Sequence, residues 1–121
     1  MKEQRVERVA ELIKREISVI LLSRVRDPRL KRFTITQVKV SPDLRQAKVF
    51  IDFPGEEKEE KYQALQKATG FIKSELALRL RIRFMPEITF IKDETLDKAF
   101  QVVELLNQIE KEEDEREKGD N

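Results

Sequence analysis

From Lys2 to Ser23, apolar residues fall at Val6, Val9, Ile13, Ile17, Ile20 and Leu21, close to the 3.6-residue helical period, while Arg5, Arg8 and Arg15 lie largely off that stripe. The pattern predicts an amphipathic helix with one buried face. Pro28 in VRDPRLKR ends it, because proline lacks an N–H donor and steers Asp27 away from helical geometry. FTITQVKVS, residues 33–41, is rich in β-branched side chains and reads as a strand. Its apolar phase slips between Ile35 and Val38, which calls for a bulge or burial on both faces. Ser41-Pro42-Asp43 supplies turn chemistry, with proline preset for the second turn position. RQAKVFIDF then alternates cleanly, with Ala47, Val49, Ile51 and Phe53 on one face and Lys48, Phe50 and Asp52 on the other. That is a half-buried strand, hairpin-paired with the one before it and closed by Pro54-Gly55.

Glu56 to about Ile82 is helical by composition and period, with Tyr62, Leu65, Ala68, Ile72, Leu76 and Leu80 approximating one stripe. Gly70 interrupts it at a cost of about 1 kcal/mol relative to alanine, so the pattern predicts two helices meeting at a structural kink, Ala68-Thr69-Gly70. Pro86 closes the second of these, and EITFIK, residues 87–92, reads as a short strand. A last helix, capped by Thr95 with Asp97 in its first turn, would carry Leu96, Phe100, Val103, Leu106 and Ile109 inward. No apolar residue follows Ile109, which predicts a frayed or disordered end. The order is helix, strand, strand, helix, kink, helix, strand and C-terminal helix. It predicts an α+β domain whose three-stranded sheet is covered by helices on one face. The third strand returns after a long crossover, as a parallel strand requires.

Composition adds boundaries to this picture. The 121 residues are 39% hydrophobic and 40% charged, enough for one modest core under a densely ionic surface. We place a single domain at residues 1–109 and an acidic tail at 110–121. The tail holds seven acids and three bases, so the overall net charge of +1 leaves +5 on residues 1–109. A basic body of this kind suits a polyanionic partner. The densest positive stretch is Arg24, Arg26, Arg29, Lys31 and Arg32, opposed only by Asp27.

Candidate chemistry is sparse. With no histidine and no cysteine, the commonest general base and the thiolate nucleophile are both missing, and no zinc site is expected. Gly55, Gly70 and Gly119 are isolated and form no phosphate-cradling loop. No apolar run reaches the roughly 20 residues of a membrane span, and MKEQRVERVAEL is not a signal peptide. The sequence therefore predicts neither catalysis nor a cofactor nor a metal.

The element order is that of the type II KH fold, a single-stranded nucleic-acid module whose helices join through a GxxG loop. Here the junction is Ala68-Thr69-Gly70, with no second glycine. Together, VERVAELIKREISVIL, the VRDPRL break, TITQVKVSPDLRQAKVFIDF and ATGFIKSELALRLRIRFMPEITFIKDE resemble the ribosome-binding factor A family, over almost the whole chain to about Ile109. The resemblance implies a non-catalytic cytoplasmic protein, monomeric when free. Its partners would be the small (30S) ribosomal subunit and its rRNA, with no membrane and no small-molecule substrate. It would assist late 30S maturation and rRNA processing, including in the cold. It also implies an Ala/Ser-x-Gly junction in place of GxxG, which argues against a four-nucleotide clamp and for docking on folded rRNA.

The candidate RNA-binding residues are Arg5, Arg8, Arg24, Arg26, Arg29, Lys31, Arg32, Lys67, Gly70, Lys73, Arg81 and Arg83. Lys67 and Lys73 flank the junction, whereas the spacing of Arg79, Arg81 and Arg83 would splay them around a helix. Phe50, on the open sheet face, is a candidate for base stacking or for packing against its neighbours. The rival reading is a protein-interaction module on the same fold, its basic loop contacting an acidic protein.

Overall fold

Helix α1 occupies Lys2–Ser23, and the stripe read from its sequence is the face it buries: Ile13, Ile17, Ile20 and Leu21 are fully inaccessible, with Val9 and Leu12 packed beside them. The computed structural model describes residues 2–119, and the side chains of 3–95 and 101–115. After α1 the chain makes a single 3₁₀ turn at Pro28–Leu30. Strand β1 (Thr34–Val40) and strand β2 (Gln46–Asp52) form an antiparallel hairpin, and the register slips between Ile35 and Gln37, a bulge where the apolar phase breaks. Strand β3 (Glu87–Lys92) pairs parallel to β2, giving the sheet order β1-β2-β3.

Alternation puts Ile35, Ala47, Val49, Ile51 and Ile88 on the sheet face that meets α1 and α2. Phe50 lies half-buried on the other face, its ring 5.6 Å from Lys39 Nζ. The neighbour that takes its ring is thus a lysine of the adjacent strand.

Helix α2 runs without interruption through Lys58–Arg79. This corrects the division into two helices at Ala68-Thr69-Gly70, and it also shortens the predicted helix at its C-terminal end. Gly70 stays helical because its cost is small beside the burial of Tyr62, Ala64, Leu65, Ile72 and Leu76 on one side of the same helix. Thr69 adds a local feature: its hydroxyl donates to the Leu65 carbonyl at 2.8 Å, a back-bond of the kind that bends helices without breaking them. The helix stops at Leu80, which turns to extended geometry (φ −82°, ψ 117°) well before Pro86. Arg81 and Arg83 therefore sit in a loop, and helical splay does not apply to them.

Helix α3 (Thr95–Gly119) departs most from the sequence pattern. Val103, Leu106 and Ile109 are 52%, 56% and 43% exposed rather than inward, and Val102 and Leu105 are exposed with them. The side chains of Leu96, Asp97 and Phe100 lie outside the described residues. The helix continues through the acidic run, where fraying is predicted; Glu, Lys and Arg are good helix formers, and Lys111–Glu115 and Asp114–Lys118 have the i, i+4 spacing that supports one. At its start the Asp93 carboxylate accepts the Thr95 backbone N–H at 2.9 Å, satisfying one of the free donors of the first turn. The same carboxylate also accepts the Thr36 hydroxyl, and these bonds, Thr36 first, hold its pKa below the usual value.

Candidate nucleic-acid interface

The stretch after α1 is basic because of its side chains but is held in place by two apolar ones. Val25 and Leu30 are buried in the core, so the backbone between them is pinned down and the intervening polar side chains face outward. Asp27 caps the 3₁₀ turn by accepting the Arg29 backbone N–H at 3.0 Å, and it also receives the Arg29 guanidinium at 2.8–3.2 Å. The side-chain bonds from Arg29, followed by its backbone N–H, keep the Asp27 carboxyl below its ordinary pKa.

Lys31 turns the other way. Its ammonium donates to the carbonyls of Leu21 (3.1 Å), Leu22 (2.8 Å) and Val25, which closes the negative C-terminal end of α1. Arg29 and Lys31 are thus engaged in building the loop. Arg26 and Arg32 are exposed without an ion pair among the described residues, and Arg24 is held only loosely, by Glu75 at 3.4 Å.

Beside these lies the middle of α2. Ser23, Arg24, Val25 and Arg26 form one wall of a shallow groove of about 540 Å³, and Ala68 and Phe71 form the other. Phe71 is 46% exposed, and the adjacent Gly70 is exposed too. A Cβ built on Gly70 would meet nothing within 4 Å. The fold therefore does not need glycine here, either for space or for a left-handed backbone. Lys67 is exposed nearby, while Lys73 pairs with Glu87 at 2.8 Å. Arg79 is paired with Glu16 at 3.2 Å.

The structure thus brings together Arg24, Arg26 and Ala68, with Thr69 and Gly70 next to Ala68 along α2, but separates other candidates from them. Arg5 lies near the far end of α1, about 28 Å from Arg24 by the rise of the helix, against the loop that holds Arg83. Arg8 lines a shallow depression formed by α1 alone. Phe71 is absent from the candidates read from the sequence. Its signal was present, since it falls out of phase with the Leu65, Ile72, Leu76 stripe while being aromatic.

Among the described residues no group of three or more carboxylate, His or Cys side chains could hold a metal, and no helix is long and apolar enough to cross a membrane. A helix, an antiparallel hairpin, a second helix and a third strand parallel to the second define an α+β module, in the order expected of a KH-like fold, with a basic groove between its first two helices.

The chain belongs to the ribosome-binding factor A family, whose model matches residues 5–106. Ribosome-binding factor A of Halothermothrix orenii is 45% identical over 122 residues, covering 98% of this chain and all of that one. The crystal structure of ribosome-binding factor A from Thermus thermophilus superposes with a TM-score of 0.63 at 28% identity, over 72% of this chain and 94% of that one. A second likeness, with a TM-score of 0.58 at 28% identity over 69% and 90%, is to the Thermus thermophilus homology model fitted into the cryo-EM map of a 30S–RbfA complex.

Gly70→Ala separates a role in folding from a role in contact. With open space at the Cβ, alanine should stabilise the chain by about 1 kcal/mol through helix propensity, read as a higher denaturation midpoint. If a partner's backbone closes on the helix at this point, the same variant should bind several-fold more weakly. Equal affinity with higher stability would remove Gly70 from the interface.

Proposed function

We propose that this protein binds the small ribosomal subunit through its rRNA, without catalysis, and assists late 30S maturation and rRNA processing in the cytoplasm, including in the cold. Residues 1–109 act as the RNA-binding domain, with 110–121 as an acidic extension. The observation that carries the reading is the groove between α1 and α2, where Arg24 and Arg26 lie beside an exposed Phe71, with open space at the adjacent Gly70 on the same helix. Arginine is suited to phosphate, an exposed aromatic to a base or ribose, and bare helical backbone to close approach. Family membership supports the same partner, since relatives carry ribosome binding in their name.

Arg24, Arg26, Arg32 and Lys67 are the phosphate contacts, while Arg29 and Lys31 set the loop that presents the first three. Four such contacts release about as many counterions, so affinity should fall on the order of 100-fold between ~50 and ~200 mM monovalent salt at constant magnesium. Co-sedimentation with free small subunits reads this directly. Salt-insensitive binding, or a preference for complete ribosomes, would overturn the proposal.

A further inference from the structure

At the other end of α1 a second groove, of about 810 Å³, opens between the helix, the β1–β2 turn and the 80–86 loop. The loop is firmly seated. Ile82 and Met85 pack on the core, Pro86 is buried, and the Glu87 N–H donates to the Arg45 carbonyl at 2.8 Å, tying it to the turn. That turn is itself tight: Leu44 takes a left-handed φ of 61°, and its N–H donates to the Ser41 carbonyl at 2.8 Å. On this platform Phe84 stands 76% exposed, with the Arg83 guanidinium 5.4 Å from its ring centroid.

A seated loop that holds a phenylalanine in water makes poor sense as packing, because its neighbours Ile82 and Met85 show that the core is within reach. The charges around it are also left available. Arg5, Arg45 and Arg83 form no ion pair among the described residues. The two acids at the rim have other partners: Asp43 accepts the Ser41 hydroxyl at 2.6 Å and the Arg45 backbone N–H at 3.1 Å, and Glu87 accepts Lys73 at 2.8 Å.

We propose that this groove is a second RNA contact, in which Phe84 stacks on one unpaired base while Arg5, Arg45 and Arg83 hold the flanking phosphates. Arg83 braces one side of the ring, and a base takes a free aromatic face as single-strand binders do. The groove lies about 28 Å along α1 from Arg24, so the two contacts grip the RNA at separate points and fix the orientation of the protein on it. The inference rests on the RNA-binding reading above, but it can fail separately.

The chain has no tryptophan, so Phe84→Trp gives a unique fluorophore at an exposed position where the core is not disturbed. At low salt, a single-stranded RNA nonamer should quench its emission and an RNA duplex of the same length should not. Phe84→Ala should weaken nonamer affinity about 10-fold with an unchanged melting temperature, and Phe84→Leu should not restore it, because bulk without a π-face cannot stack. Arg24→Glu with Arg26→Glu should reduce subunit binding and leave the quench in place. Quenching that survives a loss of subunit binding thus supports this site even if the subunit reading fails. Equal quenching by the duplex, no quenching at all, or an emission change that follows protein concentration without RNA would overturn the proposal; the last would mark this face as a contact between two copies.

Discussion

Replacing Arg24 and Arg26 together with glutamate should lower affinity for small subunits by roughly 100-fold or more and reduce the steepness of its salt dependence by about two contacts. Each arginine removed costs a phosphate contact, and each glutamate added places like charge against the RNA backbone. The fold should tolerate both changes. Both side chains are exposed, and among the described residues the only ion pair lost is Arg24–Glu75 at 3.4 Å, in which the arginine is 54% exposed. Such a pair contributes little to stability in water. Arg15→Glu provides the control, because Arg15 is 71% exposed on α1 and lies outside the groove. It alters net charge by the same amount per residue and should weaken binding only slightly. If the double variant keeps its rRNA crosslinks and loses only a protein neighbour, the protein-interaction reading takes over.

The contrast between Arg24 and Lys31 shows how far the sequence could lead. Both belong to one basic run, and charge patterning cannot tell them apart. What separates them is that Lys31 reaches back to two carbonyls at the end of α1 and to that of Val25 just beyond it, a geometry that exists only once Val25 and Leu30 are buried. Arg29 is a nearer case. Its partner Asp27 is only two residues away, and the Asp-Pro-Arg spacing of a capped turn is visible in the chain.

Local patterns are legible where burial is one-sided. The α1 stripe and the hairpin follow from periodicity and turn chemistry, the parallel third strand from its long crossover, and the bulge at Ile35–Gln37 is one of the two outcomes the phase slip allows. Gly70 misleads because a propensity of about 1 kcal/mol says nothing of the tertiary packing that outweighs it. The end of α2 is hard to place because Pro86 is the conspicuous stop. Yet Arg81-Ile82-Arg83-Phe84 alternates polar and apolar residues, a period that fits an extended segment and not a helix. The apolar stripe of α3 is real, but periodicity says only that a face is apolar, not what covers it.

Phe53→Ala should cost about 3–5 kcal/mol of folding stability, a large share of the roughly 5–15 kcal/mol typical of a whole domain. Phe53 is fully buried at the point where β2 gives way to the turn leading into α2, and its ring meets that of Tyr62 edge-on at 5.2 Å and 75°. The Tyr62 hydroxyl in turn donates to the Ile51 carbonyl at 2.9 Å, so truncating Phe53 opens a cavity beside a pair that ties α2 to the central strand. Phe53→Leu, which keeps most of the volume, should cost less than half as much, because the cavity term shrinks with the space left behind. Denaturant midpoints measure both changes, and an unchanged slope shows that the loss lies in the native state. Neither ring of this pair lines the groove formed by Arg24, Arg26 and Phe71, so the leucine variant should bind small subunits as the unaltered chain does. The leucine variant and the double glutamate variant are therefore opposites, the first losing stability while keeping affinity and the second losing affinity while keeping stability. A leucine variant that stays folded yet loses affinity would show that the groove depends on the packing of the α2–sheet junction, and the division between scaffold and interface would fail.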